Sequence, residues 1–544
     1  MRDEMTVGEY IVHRLEEMGL KHIFGIPGDY VLGLYDLLVG SDIKVVGTAT
    51  EIGAGYAADA YARVNGLGCV CVTYCVGGLN VVNAVAGAYA EKSPLIVISG
   101  APGIGERVTN PLLHHKVKSF YTQLKIYEKL AVTSVIIEEP SLAPQLIDET
   151  MIECIRQKRP VYIELPRDVV HRKCPAPKPL ELVLEKSDPD VLKEVLSEAK
   201  SMLSDAENPV ILGGVEIHRF GLQEELLFLV ESCGYPIATT LLGKSIISER
   251  HPQYLGVYEG AIGLDGIRSA VENSDCLLVL GAFMTDINLG IDTASIDLSR
   301  TINATSERVN IKHHHYEDVT LSDFIDGLAS EVAGSCSKKP VIGTAKREPI
   351  AVRPDEKITV SRFFSRMNDF LEENNVVISD TGDSLFGSAD LTIHRRTEFI
   401  SPAYYTSMGF AVPAAIGAQI LDKELRPIVF VGDGAFQMSC QELSTIVKNE
   451  LNPMIFVLNN KGYTTERFIR EGPYNDIHNW DYHLFPQIVR EGWGCEVRTE
   501  AELEDALKYA KNNMGSFSII NIHLDKLDCS DALVRLGKRL EERA

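Results

Sequence analysis

The sequence is short of positive charge, has no long apolar run and carries no CxxC pair. Lys and Arg number 53 against 76 Asp and Glu, a formal net charge of −23. That balance repels phosphate backbones, so nucleic acid is excluded as the main partner and any anionic ligand must be held locally. Apolar stretches such as 94–98 and 454–458 are strand-length, far below the roughly 18 residues of a bilayer span, so no membrane segment is expected. The first residues mix acids and bases with no continuous apolar core, unlike a secretory signal. Eleven cysteines, an odd number scattered from Cys69 to Cys529, suit a reduced compartment, and the cytoplasm is the expected location. A GxGxxG fingerprint is also missing, and GAPGIG (100–105) has the wrong spacing, which counts against a nicotinamide dehydrogenase.

What is present is a globular composition, 45% apolar and 24% charged, over 544 residues, enough for three or four domains at about 150 residues each. An internal repeat organises them. Thr6-Val7 opens a helical pattern that leads through an apolar strand to Gly28-Asp29, and Thr359-Val360 opens another that leads to Gly382-Asp383. Thr50-Glu51-Ile52-Gly53 begins a small-residue helix and reaches Gly77-Gly78 through a strand. Thr406-Ser407-Met408-Gly409 does the same and reaches Gly432-Asp433-Gly434. Any two parallel α/β domains share such a rhythm, but the near-constant offset of about 355 residues across four landmarks favours duplication.

Apolar strands alternating with helices read as parallel sheets buried on both faces. The middle segment has its own strand signals at 208–214 and 275–281. The expected fold is therefore α/β, three doubly wound parallel-sheet domains spanning 1–175, 188–335 and 355–544, with the first and third related by duplication. Linkers are expected at 173–188 and 335–349, where proline and charge cluster.

Ligands of open α/β sheets lie at the carboxyl ends of strands, where helix N-termini offer free N–H groups. PIVFVGDGAFQMSCQEL has that layout, and the next strand ends in Asn459-Asn460. Asp433 and Asn460, 27 residues apart, then fall on adjacent strand ends and offer a carboxylate and an amide oxygen, a donor set suited to Mg²⁺ beside bound phosphate.

GDG followed by NN at this distance resembles the diphosphate motif of thiamine diphosphate enzymes. The whole chain is similar to the pyruvate, indolepyruvate and phenylpyruvate decarboxylases among them, through FGIPGDY (24–30), the Glu51 block, LLHH (112–115), TGDSLFG (381–387), GDGAFQ (432–437) and NNKGYTTERFIREGPYNDIHNWDY (459–482). The resemblance implies pyrimidine-binding and diphosphate-binding domains for the two copies, with thiamine diphosphate and Mg²⁺ as cofactors. It implies metal ligation by Asp433, Asn460 and the main-chain oxygen of Gly462. Gly432, Gly434, Ala435, Asn460 and Tyr463 are implied around the diphosphate, and Thr381, Asp383 and Ser384 around the pyrimidine and diphosphate. Met408 matches the apolar wedge that bends the cofactor, and Thr406 a main-chain contact to its amino group.

A 2-oxo acid loses CO₂ only if an electron sink takes the charge left behind, and the cofactor is that sink. Glu51 holds the family position of the acid beside the aminopyrimidine, among small apolar neighbours suited to a protonated carboxyl. The family often has Asn where Thr50 stands. Asp29, His114, His115 and Glu466 match the family's proton-handling set, with Asp29 expected to fix the tautomer of His115 and Glu466 expected to be partly buried. Carboligases of the acetolactate synthase type usually lack the His-His pair, which favours simple decarboxylation. Carboligation remains an alternative, as does a non-catalytic cofactor-binding scaffold.

Substrate size rests on Leu385, where pyruvate specialists tend to have Trp, and on Thr465, where Ile or Val is common; Ile469 completes the expected pocket. These point to an aromatic or bulky 2-oxo acid, with pyruvate and branched-chain acids as alternatives. The terminal Leu533, Leu536 and Leu540 follow a helical pattern, implied by the family to cover the site. His313, His314 and His315 read as surface or core residues rather than a metal site. A site formed between two chains implies a homodimer at minimum and the family's usual homotetramer.

Overall fold

The computed structural model describes residues 4–180, 185–333, 349–394 and 399–536. Most of the second expected linker, and Leu540, lie outside them. The two copies begin alike: Thr6 and Thr359 each cap a helix, accepting from the backbone N–H of Glu9 and Arg362 at 3.2 and 3.3 Å.

In the first domain six strands pair in parallel, in the spatial order Lys44–Gly47, His22–Gly25, Gly68–Val72, Leu95–Ala101, Val161–Pro166, Thr133–Ile136. The third domain orders its strands Phe399–Ile400, Asn375–Ser379, Arg426–Gly432, Met454–Asn459, Ser518–His523, Trp493–Val497, again all parallel. Numbered along the chain, both sheets run 2-1-3-4-6-5. A shared strand order is what a duplicated unit must have.

The central sheet departs from the expected all-parallel form. Tyr254–Tyr258, Ile237–Thr240, Pro209–Gly213, Cys276–Leu280 and Thr301–Ala304 are parallel, but Val309–Ile311 and His314–Tyr316 add antiparallel strands at one edge. Only four residues separate Ala304 from Val309, too few for the crossover that a parallel neighbour requires. The edge strand carries His314 and His315, with His313 in the turn before it, all exposed, with His314 Nδ1 2.9 Å from Glu198 and His315 Nδ1 2.6 Å from Asn310.

The small-residue helices Glu51–Asn65 and Ala411–Gln419 pack against each other, which is why both are rich in Ala and Gly. A Cβ on Gly417 would lie 1.9 Å from the carbonyl oxygen of Ala57, so the backbones meet at a distance only glycine allows. Two buried carboxylates lock this junction reciprocally. Glu442 of the third domain accepts from the N–H groups of Ala49 and Thr50 at 3.1 and 3.0 Å, and Glu91 of the first accepts from those of Tyr404 and Tyr405 at 2.8 and 2.9 Å. Each grips the residues that lead into Glu51 or into Thr406–Met408.

Candidate active site

Strand Arg426–Gly432 runs into helix Asp433–Ser439 through the expected tight turn. Asp433 is fully buried. Its Oδ1 accepts from Gly434 N–H at 2.8 Å, and its Oδ2 from Lys461 and Gly462 N–H at 2.6 and 3.2 Å. Burial nevertheless outweighs these donors and pushes its carboxyl up to about 7. Asn460 follows the neighbouring strand, and its Oδ1 is buried without a partner. An orphaned oxygen beside a buried carboxylate is what a hard cation would occupy, so the donor set fits Mg²⁺.

The space beside it suits phosphate. A Cβ on Gly432 would meet nothing within 4 Å, whereas one on Gly434 would strike the Tyr463 ring at 2.4 Å. Ala435 is buried. Gly462 has φ +150°, and a Cβ there would lie 2.0 Å from the carbonyl oxygen of Asn475, so glycine is obligatory at the implied ligand. Arg467, unremarked in the sequence, is buried and braces the loop, donating to the carbonyls of Asn460 and Lys461 at 3.2 and 2.9 Å and to Asp476 at 2.9 Å.

Thr381 and Thr465 supply two more buried, unpartnered hydroxyls, and a Cβ on Gly382 would lie 3.9 Å from Thr465 Oγ1, which brings the two segments together. Asp380, also missed, organises the wedge. Its carboxylate accepts from Thr381, Gly409 and Ala411 N–H at 2.9, 3.0 and 2.8 Å, while burial raises it to about 6. That anchors a turn in which Thr406 has φ +54° and Met408 is left 36% exposed. Ser384 turns inward and donates to the carbonyl of Asp380 at 2.9 Å.

Several expectations need correction. Asp383 does not face an open cradle: it is buried, raised to about 6 by burial, and accepts from Ser530 N–H at 2.8 Å and from its hydroxyl, so it ties down the C-terminal segment. Leu385 is 1% exposed and packs with Leu241, Val257, Ala389 and Ala403 at the junction with the central domain. Ile469 is 75% exposed. Leu533 and Leu536 pack with Ile262, Phe386, Cys529 and Ala532 at that same junction.

In the first copy, Glu51 is the first residue of its helix, with Thr50 as the cap accepting from Gly53 N–H at 3.0 Å. Its half-buried carboxylate accepts from Asn80 Nδ2 at 2.7 Å, so its immediate partner is an amide rather than an apolar wall. Asp29, His114 and His115 do converge, with one ligand-type atom from each lying within 4.8 Å of the others. The pairing differs from expectation. Asp29 Oδ2 lies 2.9 Å from His114 Nε2, not on His115. The cause is the backbone: His115 sits at φ +66°, which turns its ring edge-on to that of His114 at 4.8 Å and leaves its Nδ1 buried and unpartnered. Tyr30 stacks on His114 at 4.8 Å. Glu466 lies in helix Thr464–Ile469 of the other copy, exposed rather than partly buried.

Comparison with known proteins matches residues 5–124 to the thiamine pyrophosphate enzyme N-terminal TPP binding domain, 196–329 to the central domain, and 380–522 to the C-terminal TPP binding domain. A probable pyruvate decarboxylase of Schizosaccharomyces pombe is 32% identical over 99% of this chain and 96% of its own length. The pyruvate decarboxylase of Aspergillus fumigatus is 33% identical over 98% and 96%, and pyruvate decarboxylase isozyme 1 of Saccharomyces cerevisiae is 32% identical over 98% of each. With a buried Asp433–Asn460 donor set at one duplicated strand end and this end-to-end similarity, the chain belongs to the thiamine diphosphate-dependent 2-oxo acid decarboxylase family.

Proposed function

We propose that this decarboxylase converts 2-oxo acids to aldehydes non-oxidatively and admits bulky, including aromatic, side chains. The orphaned Asn460 Oδ1 beside buried Asp433 is the observation that carries the site assignment. Asp433, Asn460 and the Gly462 carbonyl would hold Mg²⁺, and open Gly432 would admit the diphosphate. Thiamine diphosphate, when bound, supplies the sink for the electrons left as CO₂ departs. Glu51 would exchange a hydrogen bond with the aminopyrimidine in place of Asn80, and the exposed Met408 would fill the bend between the rings. After CO₂ leaves, the reacting carbon needs a proton. Asp29 Oδ2 and His114 Nε2 lie within hydrogen-bond distance, and the pair, when it carries a proton beyond the one it shares, would be one donor, with Glu466 a second acid from the diphosphate-binding copy.

Glu51 and Asp433 belong to different copies, and exposed apolar residues flank the histidine pair and Glu466 along the chain, Leu112 and Val117 beside the first and Phe468 and Ile469 beside the second. We place the complete site between two chains, a homodimer at minimum.

Size selection is argued from Thr465 and Leu385, and Thr465 is the one whose hydroxyl is left unpartnered. A threonine where Ile or Val is common shortens the wall, and a space that takes an aromatic acid also takes pyruvate, for which the relatives are named. A coupled aldehyde assay across pyruvate, 2-oxoisovalerate, phenylpyruvate and indolepyruvate tests this. Turnover of the aromatic acids is expected, with Thr465→Ile lowering kcat/KM for them about tenfold more than for pyruvate. Activity confined to pyruvate refutes the size argument, and no aldehyde from any acid refutes the decarboxylase.

A further inference from the structure

Strand Val161–Pro166 ends beside the histidine cluster, and the two residues that follow it, Arg167 and Asp168, are charged. Neither takes part in the reaction as proposed. Asp168 accepts from the N–H groups of Ile104 and Gly105 at 3.0 and 3.2 Å, which pins the start of the short helix Ile104–Arg107. That helix begins the segment leading to His114 and His115. Arg167 reaches both sides of the same joint. Its Nε and Nη2 form a fork on Glu106, which in turn accepts from Gly103 N–H at 2.7 Å, and its Nη1 lies 3.5 Å from Asp29 Oδ2. The guanidinium also sits 5.0 Å from the centre of the Tyr30 ring, the ring that stacks on His114.

Asp29 Oδ2 is therefore shared between Arg167 and His114. We infer that Arg167 is a positioning residue for proton delivery: its planar fork, fixed by Glu106, aims one oxygen of Asp29 at His114 and ties the histidine segment to a rigid strand end. Two observations make this more than a surface ion pair, whose usual worth is under about 1 kcal/mol. The Glu106 contact is bidentate, and that guanidinium holds the Glu106 carboxyl below its ordinary range. The same guanidinium also lies against the aromatic ring that supports the histidine, so displacing it disturbs Asp29 and His114 together. Lysine keeps the charge but cannot span Glu106, Asp29 and Tyr30 at once, so the geometry predicts a graded series.

The inference rests on the proposed role of Asp29 and His114, and the experiment separates the two. Arg167→Ala, Arg167→Lys and Asp29→Asn are made in the full-length enzyme, and each is measured for kcat and KM with thiamine diphosphate and Mg²⁺ saturating. Histidine ring-nitrogen NMR signals are recorded on the cofactor-free protein. Asp29→Asn should lose at least a hundredfold in kcat; if it does not, the proton role of the pair fails, whatever Arg167 does. Given that loss, Arg167→Ala should lower kcat about tenfold, leave KM within about twofold and shift the His114 ring-nitrogen signals, and Arg167→Lys should recover part of each. A kcat for Arg167→Ala within twofold of wild type overturns the inference. So does a kcat loss accompanied by unmoved histidine signals, or one that lysine does nothing to restore.

Discussion

The two duplicated domains share one strand order yet build opposite kinds of site, and the contrast is sharpest at a single turn. Where the third domain has Gly432-Asp433-Gly434, the first has Gly77-Gly78. In the third domain Asp433 is buried under three N–H donors, and Gly432 opens onto free space. In the first domain the equivalent space is filled. A Cβ on Gly78 would lie 2.1 Å from Oε1 of Gln123, a fully buried side chain that accepts from Cys75 N–H at 2.7 Å and donates to Ser99 and Tyr162. The first copy has closed its phosphate cradle with an amide. What it offers instead is a half-buried Glu51 and the exposed Asp29–His114 pair. Gly28-Asp29 and Gly382-Asp383 diverge likewise, since Asp29 faces solvent while Asp383 is buried against Ser530. Duplication preserved the frame, and the side chains at the strand ends divided the labour.

The largest effect that tests this division is loss of the cradle's carboxylate. Asp433→Ala should abolish cofactor retention and lower turnover at least a thousandfold. It should also remove the rise in Tm on adding thiamine diphosphate with Mg²⁺, a rise worth about 4 kcal/mol when ligand stands a thousandfold above Kd. A variant still stabilised by the pair would move the metal elsewhere. Next is the acid of the other copy. Glu51→Gln should fold normally and still show the cofactor-dependent rise in Tm, but turn over a hundred to a thousand times more slowly, in the range of a lost acid–base group. Near-normal rates would end its assignment, and loss of the Tm rise would show that it holds the cofactor rather than activates it.

These two residues were legible because their positions obey local rules. A helix plus a strand fixes the spacing from Asp433 to Asn460, and a Thr cap followed by small residues marks the helix that Glu51 opens. Asp380, Glu442 and Arg467 were not legible. Each holds backbone groups, for Asp380 and Glu442 distant ones as well, and no periodicity signals such a bond. Which of two adjacent histidines meets Asp29 depends on one left-handed residue, His115, that carries no glycine-like mark in the sequence. The neighbours of Leu385 were not legible either, because they come from the central domain packed against the second copy. The parallel strands of the central sheet were readable, while its antiparallel edge turns on the brevity of a four-residue polar connection, 305–308.

The plugged cradle is tested by filling it further. Gly78→Ala should cost about 3 kcal/mol by forcing Gln123 from a site where it makes three hydrogen bonds or from its rotamer. Chemical denaturation measures this, and the catalytic rate of the folded fraction should stay near wild type, because the plug belongs to the framework. Gly78→Ala combined with Gln123→Ala should cost less than the sum of the two single changes, since they share one collision. Simple additivity would show that Gln123 is not what fills the space.

The smallest expected effect concerns how the protein tolerates its buried acids, Asp380 of the third domain first. Asp380 is raised from 3.8 to about 6 by burial, and its backbone donors only partly offset that. A carboxyl whose folded pKa exceeds its unfolded value binds more protons when native, so this contribution is most favourable below about pH 4 and is lost as pH rises toward 6. Asp383 at about 6, Asp433 and Glu164 at about 7 and Glu259 at about 8 act in the same sense. His22 and His218, which burial holds low, act in the opposite sense below about pH 6.5, so the pH slope of the cofactor-free protein between pH 4.5 and pH 7.5 is the balance of the two sets. Asp380→Asn removes one share of that slope, on the order of 1–2 kcal/mol, because an amide does not titrate. It also lowers stability at every pH, since its single oxygen cannot serve the Gly409 and Ala411 amides as two did. Denaturation midpoints at the two pH values separate these effects: the offset reports the lost acceptor and the flattened difference reports the lost titration. A variant with the full wild-type slope would place the pH sensitivity in the other groups and leave Asp380 ionised throughout, held by its backbone donors alone.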